Sequence, residues 1–88
     1  MIIATTTATA IHLDLGDLAG AFGNVRKTCI RKDAVMSINL VGSGGNECVR
    51  FRYHGGDSDE VHYSMFATVN GSPVSSNDEL FTILTTEA

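Results

Sequence analysis

Residues 47–54, Glu-Cys-Val-Arg-Phe-Arg-Tyr-His, alternate without a break between side chains that seek a core and side chains that seek water. Val49, Phe51 and Tyr53 fall on one side, and Cys48, Arg50, Arg52 and His54 on the other. Successive side chains of a strand point to opposite faces, so this period of two specifies a strand covered on one face only. Such a strand needs antiparallel neighbours and a second layer over its apolar face.

The flanking segments supply the neighbours. The runs Gly42-Ser43-Gly44-Gly45-Asn46 and Gly55-Gly56-Asp57-Ser58-Asp59 are turn sequences. Before the first, residues 34–41 alternate again, with Ala34, Met36, Ile38 and Leu40 one way and Val35, Ser37, Asn39 and Val41 the other. After the second, residues 61–69 read as a strand with Val61, Tyr63, Met65, Ala67 and Val69 inward. Short connections make these three an antiparallel meander. Upstream, residues 25–32 read as a further strand, and the Thr-, Ala- and Ile-rich stretch 2–15 as one strand with an irregular start and Ile11, Leu13 and Leu15 on one face. Between them, residues 16–24 carry three glycines and form a loop, with Leu18 and Phe22 spaced for a short helical turn.

The second layer begins at Ser76-Asn77-Asp78-Glu79, which has the pattern of a capping box: the Ser76 hydroxyl accepts from the Glu79 amide while the Glu79 side chain reaches back. Asp78 and Glu79 suit the positive end of the helix dipole, and Leu80, Phe81, Ile83 and Leu84 form one apolar stripe. A helix this short does not hold alone and must dock on the sheet. The expected fold is α+β: a mainly antiparallel β-sheet or partly open barrel of about five to six strands with one C-terminal amphipathic helix, in a single domain over residues 1–88.

Charge is segregated along the chain. All six basic residues, Arg26, Lys27, Arg31, Lys32, Arg50 and Arg52, lie within 26–52, where only Asp33 and Glu47 oppose them; the other eight acids lie outside, giving the net −4. Unlike faces on a small acidic protein suit association. Six aromatic rings and no Trp make a thin core, and a domain of this size buries only roughly 60–65% of its unfolded surface. The expected partner is therefore a second copy or a larger protein assembly, met through a sheet edge, the basic face, or the first ten residues added as a strand. The basic residues Arg26, Arg31, Arg50, Arg52 and His54 carry the alternative, an anion- or nucleic-acid-binding face, extended by Ser37 and Asn39 on one neighbouring strand and His62 and Ser64 on the other. Against nucleic acid stand the acidic net charge and the absence of aromatics beside the arginines.

Other chemistries lack support. The stretch His54 to His62 offers two histidines with Asp57 and Asp59, but split between strand ends and a Gly-Gly loop; a solvated hairpin tip is expected, with no metal and no cofactor. The glycine run at 42–45 has neither the Lys nor the following helix of a phosphate loop. No nucleophile elbow is present, nothing in the spacing joins Cys29 to a histidine, and a small sheet with one helix leaves little volume for a typical ~300 Å³ cleft, so a non-enzymatic protein is expected. Cys29 and Cys48, 19 residues apart, are expected as reduced, half-buried packing residues. The first residues have no basic region or long apolar run, so no signal peptide or membrane span is expected.

Asp33-Ala34-Val35-Met36-Ser37-Ile38 and Ser76 to Leu84 together resemble the pleckstrin-homology-like layout, an antiparallel sheet finishing in one capped helix. No lipid-headgroup motif of that family is carried over. Residues 25–85, with Val-Met-Ser-Ile-Asn-Leu-Val and Phe-Ala-Thr-Val-Asn-Gly, look like small uncharacterised proteins of marine phages and environmental metagenomes. That likeness implies a viral or marine microbial source, a structural role such as a virion or assembly component, and a cytoplasmic or virion-associated location.

Overall fold

The computed structural model describes residues 1–86. It contains seven strands, β1 (Ile2–Thr6), β2 (Ala10–Asp14), β3 (Lys27–Arg31), β4 (Val35–Val41), β5 (Cys48–Tyr53), β6 (Ser58–Val61) and β7 (Phe66–Val69), followed by one helix, α1 (Asn77–Thr85). The strands form two sheets, ordered β3-β2-β1-β7 and β4-β5-β6, that do not close into a barrel. Every pairing is antiparallel except β1 with β7. The α+β class is as expected, with two sheets and seven strands in place of one sheet of five or six.

The extra strands come from two places where the sequence pattern misleads. Residues 2–15 are a hairpin, β1 and β2, not one strand. The Thr7 hydroxyl accepts from the Ala10 amide at 3.1 Å while the Thr7 amide bonds the Ala10 carbonyl at 2.9 Å, which folds Thr7-Ala8-Thr9 into a turn. β1 then lies between β2 and β7 inside its sheet. The first ten residues therefore pair within the chain, and they are not an added strand for a partner.

Residues 61–69 are likewise broken. β6 ends at Val61, residues Tyr63–Met65 make one 3-10 turn, and the chain crosses to the other sheet, where β7 runs parallel to β1. The crossover changes the phase: Phe66 and Val69 are buried and Ala67 is exposed. At its far end Asn70 and Gly71, both with positive φ, close a tight turn between Val69 and Ser72. Asn70 also ties back to β1, accepting from the Thr6 amide and donating to its hydroxyl.

The β4-β5-β6 meander follows the alternation closely. Phe51 and Val49 are buried, with Ile38 and Leu40 opposite them across β4. A bulge between Val35 and Ser37 sets Val35, not Met36, opposite Tyr53, so Met36 is 51% exposed rather than inward. Leu40 keeps the inner face but sits on an edge strand and is 39% exposed. At the β4–β5 turn, Gly42 has φ +88 and a side chain there would collide with the Asn46 carbonyl, so the glycine is required by space as well as by conformation.

The capping signal is half realised. The Ser76 hydroxyl accepts from the Glu79 amide at 3.1 Å, but the Glu79 carboxylate accepts from the Ser75 hydroxyl instead of the Ser76 amide. Helix α1 lies on β4 and β5, with Leu80 and Leu84 in the core shared with Ile2, Ile11, Val49 and Phe51. Burying each leucine is worth about 2 kcal/mol.

Asn77, in the first turn of α1, is the single buried polar side chain among the described residues. Its Oδ1 accepts from the Tyr63 amide at 2.9 Å and its Nδ2 donates to the Glu47 carbonyl at 3.0 Å. Asn77→Ala leaves both backbone groups unpaired, each costing about 1–3 kcal/mol. The expected loss is about 2–4 kcal/mol in urea unfolding, against about 1 kcal/mol for Ser76→Ala, which removes only a helix cap. Equal midpoints for the two variants would show that Asn77 does no more than an ordinary cap.

Candidate functional site

The two sheets are unevenly sealed. Helix α1 covers the β4 side, whereas on the β3 and β6 side a cleft of about 640 Å³ opens between them. Leu13 and Ile30 line it from one sheet, Leu15, Phe22 and Val25 from the β2–β3 connection with its 3-10 helix Gly16–Phe22, and Phe51, Tyr53 and Val61 from the other sheet. This corrects the expectation of too little volume for a cleft. That expectation assumed one sheet under one helix; two sheets with a single helix leave one flank without a filler.

One polar pair faces this apolar lining. Asp59 lies opposite Phe51 in the β5–β6 ladder, so its carboxylate is on the inner face, where it accepts a 2.9 Å hydrogen bond from the Tyr53 hydroxyl. A charge turned inward on an edge strand is a common guard against indiscriminate strand addition. Arg31 and Cys29 complete the rim.

Both strands bordering the cleft are unpaired on their outer sides. Their ladders define which groups are free. Leu15 donates to the Arg26 carbonyl and Lys32 donates to the Thr9 carbonyl. An antiparallel ladder repeats every two residues, so Thr28 and Ile30 bond to β2, while Lys27, Cys29 and Arg31 direct their backbone N–H and C=O away from the sheet. In the same way the Tyr53–Asp57 bond assigns Asp59 and Val61 to β5 and leaves Ser58 and Glu60 facing outward. The β3 edge carries Arg26, Lys27, Arg31 and Lys32; the β6 edge carries Asp57, Asp59 and Glu60.

The expected basic residues divide between the sheets. Arg50 and Arg52 share the outward face of β5, opposite Asn39 and Ser37 on β4, and exposed His54 follows at the strand end. On the other flank their neighbours are Glu60 and Ser58, not His62 and Ser64. Glu60 takes Arg50 in an ion pair, with Nη2–Oε2 at 2.6 Å. His62 instead turns to the crossover, its Nδ1 accepting from the Ser64 amide at 3.1 Å. Arg26 and Arg31 belong to β3 in the other sheet, and Arg31 is paired with Asp33 at 3.3 Å. The structure thus brings Arg50 and Arg52 together and separates them from Arg26 and Arg31.

Cys29 and Cys48 are both free; Cys48 is half-buried as expected, but Cys29 is exposed on β3, directly opposite His12 on β2. Among the described residues no three His, Cys, Asp or Glu side chains converge as for a metal ion, and no helix is long and apolar enough to cross a membrane.

Burial first, and then the hydrogen bond and charge of Asp59, hold the Tyr53 hydroxyl well above its ordinary pKa of 10.0. A tyrosine raised in the folded state contributes stability that is complete below its unfolded pKa and is lost as pH rises toward the folded one. Between about pH 8 and about pH 11 the parent should lose stability more steeply than Tyr53→Phe, which has no hydroxyl there to titrate. Urea midpoints at the two pH values check this; parallel losses would show that Tyr53 is solvated like a free tyrosine.

No protein-family model, no curated protein and no solved structure gives a significant match to this chain.

Proposed function

We propose that this is a non-enzymatic interaction protein that assembles, with itself or onto a larger protein structure, through the open side of its sandwich. One observation carries this: two unpaired edge strands of opposite charge border the same apolar cleft. Free backbone donors and acceptors accept an added strand, and an apolar floor beside them accepts its side chains. The half-exposed Val25 and the partly buried Phe22 at the cleft mouth are surface that such a contact would cover.

The outward arginines support an anion-binding alternative less well, because Glu60 already engages Arg50. An Arg52→Glu/His54→Glu variant, which keeps the Arg50–Glu60 pair, separates the two: it should leave association unchanged, whereas an anion-binding protein would lose its salt-sensitive binding.

The direct test uses Cys29→Pro. Position 29 directs its N–H off the sheet, so proline there removes no hydrogen bond within the ladder but blocks an added strand. Light scattering after size exclusion should show the parent as an oligomer that weakens with salt, and Cys29→Pro as a monomer with an unchanged circular dichroism spectrum. A monomeric parent, or a variant that associates as the parent does, would overturn the proposal.

A further inference from the structure

Building on that reading, we propose that the occupant of the open side is a second copy of this chain, docked by a two-fold axis that pairs β3 of each copy with β6 of the other. The two clefts then merge into one core, and each four-stranded sheet continues into the partner's three-stranded sheet.

Charge selects this arrangement over the simpler ones. Pairing β3 with its own counterpart would set Lys27 and Arg31 against the same residues of the partner, and pairing β6 with its counterpart would set Glu60 against another Glu60. Like charges facing each other across a ladder are unfavourable. Only the reciprocal pairing lays the edge of Arg26, Lys27, Arg31 and Lys32 along the edge of Asp57, Asp59 and Glu60, with Arg31 and Glu60 shared with Asp33 and Arg50 of their own copy.

The faces also match. On β3 the residues that offer backbone groups to a partner, Lys27, Cys29 and Arg31, carry their side chains on the outer face, and so do Ser58 and Glu60 on β6. Thr28 and Ile30 on one edge, and Asp59 and Val61 on the other, face inward. Joining the edges through their free groups therefore joins outer face to outer face and cleft to cleft, as the alternation of a strand demands. Because both edges flank one cleft, a single rotation satisfies both at once, so the assembly closes as a dimer rather than growing as a filament. Asp59 enters this interface already bonded to Tyr53, with Arg31 on the same rim.

Reciprocity supplies the test. Variant one is Lys27→Glu/Arg31→Glu, and variant two is Ser58→Lys/Glu60→Lys, each changing outer-face residues of one edge. Each alone sets like charges against each other where the outer faces of β3 and β6 meet and should run as a monomer in light scattering; mixed in equal amounts they should restore the parental dimer mass. A monomeric parent would overturn both this pairing and the interaction reading. A dimeric parent whose mass is unmoved by both reversals would overturn this pairing and leave the interaction reading standing. So would reversed variants that stay apart when mixed. Should a reversed variant not fold, Ser58→Cys and Glu60→Cys, each in a Cys48→Ser background, replace it. Oxidised with diamide, at least one should form a covalent dimer through the native Cys29, lost on Cys29→Ser; no covalent dimer from either would overturn the pairing.

Discussion

The amide of Asn77 ties together three pieces of chain that otherwise meet only through apolar packing. It bonds the crossover at Tyr63, the start of β5 at Glu47, and belongs itself to the first turn of α1. Without it the helix would still have an apolar stripe, but nothing would fix where along β4 and β5 that stripe sits. Hydrophobic contact is non-directional, whereas a buried amide with both ends engaged has one acceptable position. The docking of α1 seals one flank of the sandwich, and the sealed flank defines the open one. The cleft is thus a by-product of where a single polar side chain anchors α1, the one α-helix among the described residues.

What could be read from the chain was whatever is decided locally. The alternation at 47–54, the glycine turns at 42–45 and 55–56 and the Ser76 half of the capping box depend on residues within a few positions of one another, and the structure keeps them. Segments 61–69 and 2–15 depart from that pattern, the first through distant partners and the second through a local turn. Residues 61–69 keep a tolerable period of two, but Asn77 captures the Tyr63 amide and His62 caps the 3-10 turn through the Ser64 amide, so the strand breaks and resumes in the other sheet. Residues 2–15 carry no Gly, Pro or Asn at their middle, and the turn there rests on a single threonine hydroxyl.

The site was legible in fragments only. The excess of basic residues near 26–32 is plain in the chain, but the sequence pattern puts Asp59 in the hairpin turn, whereas β6 begins at Ser58 and sets Asp59 inward opposite Phe51. That these belong to two strands on the same flank of a sandwich is a property of strand order, and no local pattern encodes strand order. The assumption that adjacent strands in sequence would gather all the arginines onto one face failed for the same reason: β3 pairs with β2, not with β4.

The parallel pair β1–β7 has a consequence in time as well as in space. Residues 2–6 lie beside residues 66–69 and are tied to Asn70, 64 positions away from Thr6. As the chain emerges from the ribosome at roughly 5–20 residues per second, the β1–β2–β3 unit is made first but one side of β1 stays bare for several seconds. Contacts this far apart also carry the largest loop-closure entropy and form late in folding. During that interval Ile2 and Ala4, which end as some of the most protected side chains in the molecule, belong to an open strand edge. The free side of β1 is thus open to mispairing with other nascent chains until β7 arrives to cover it.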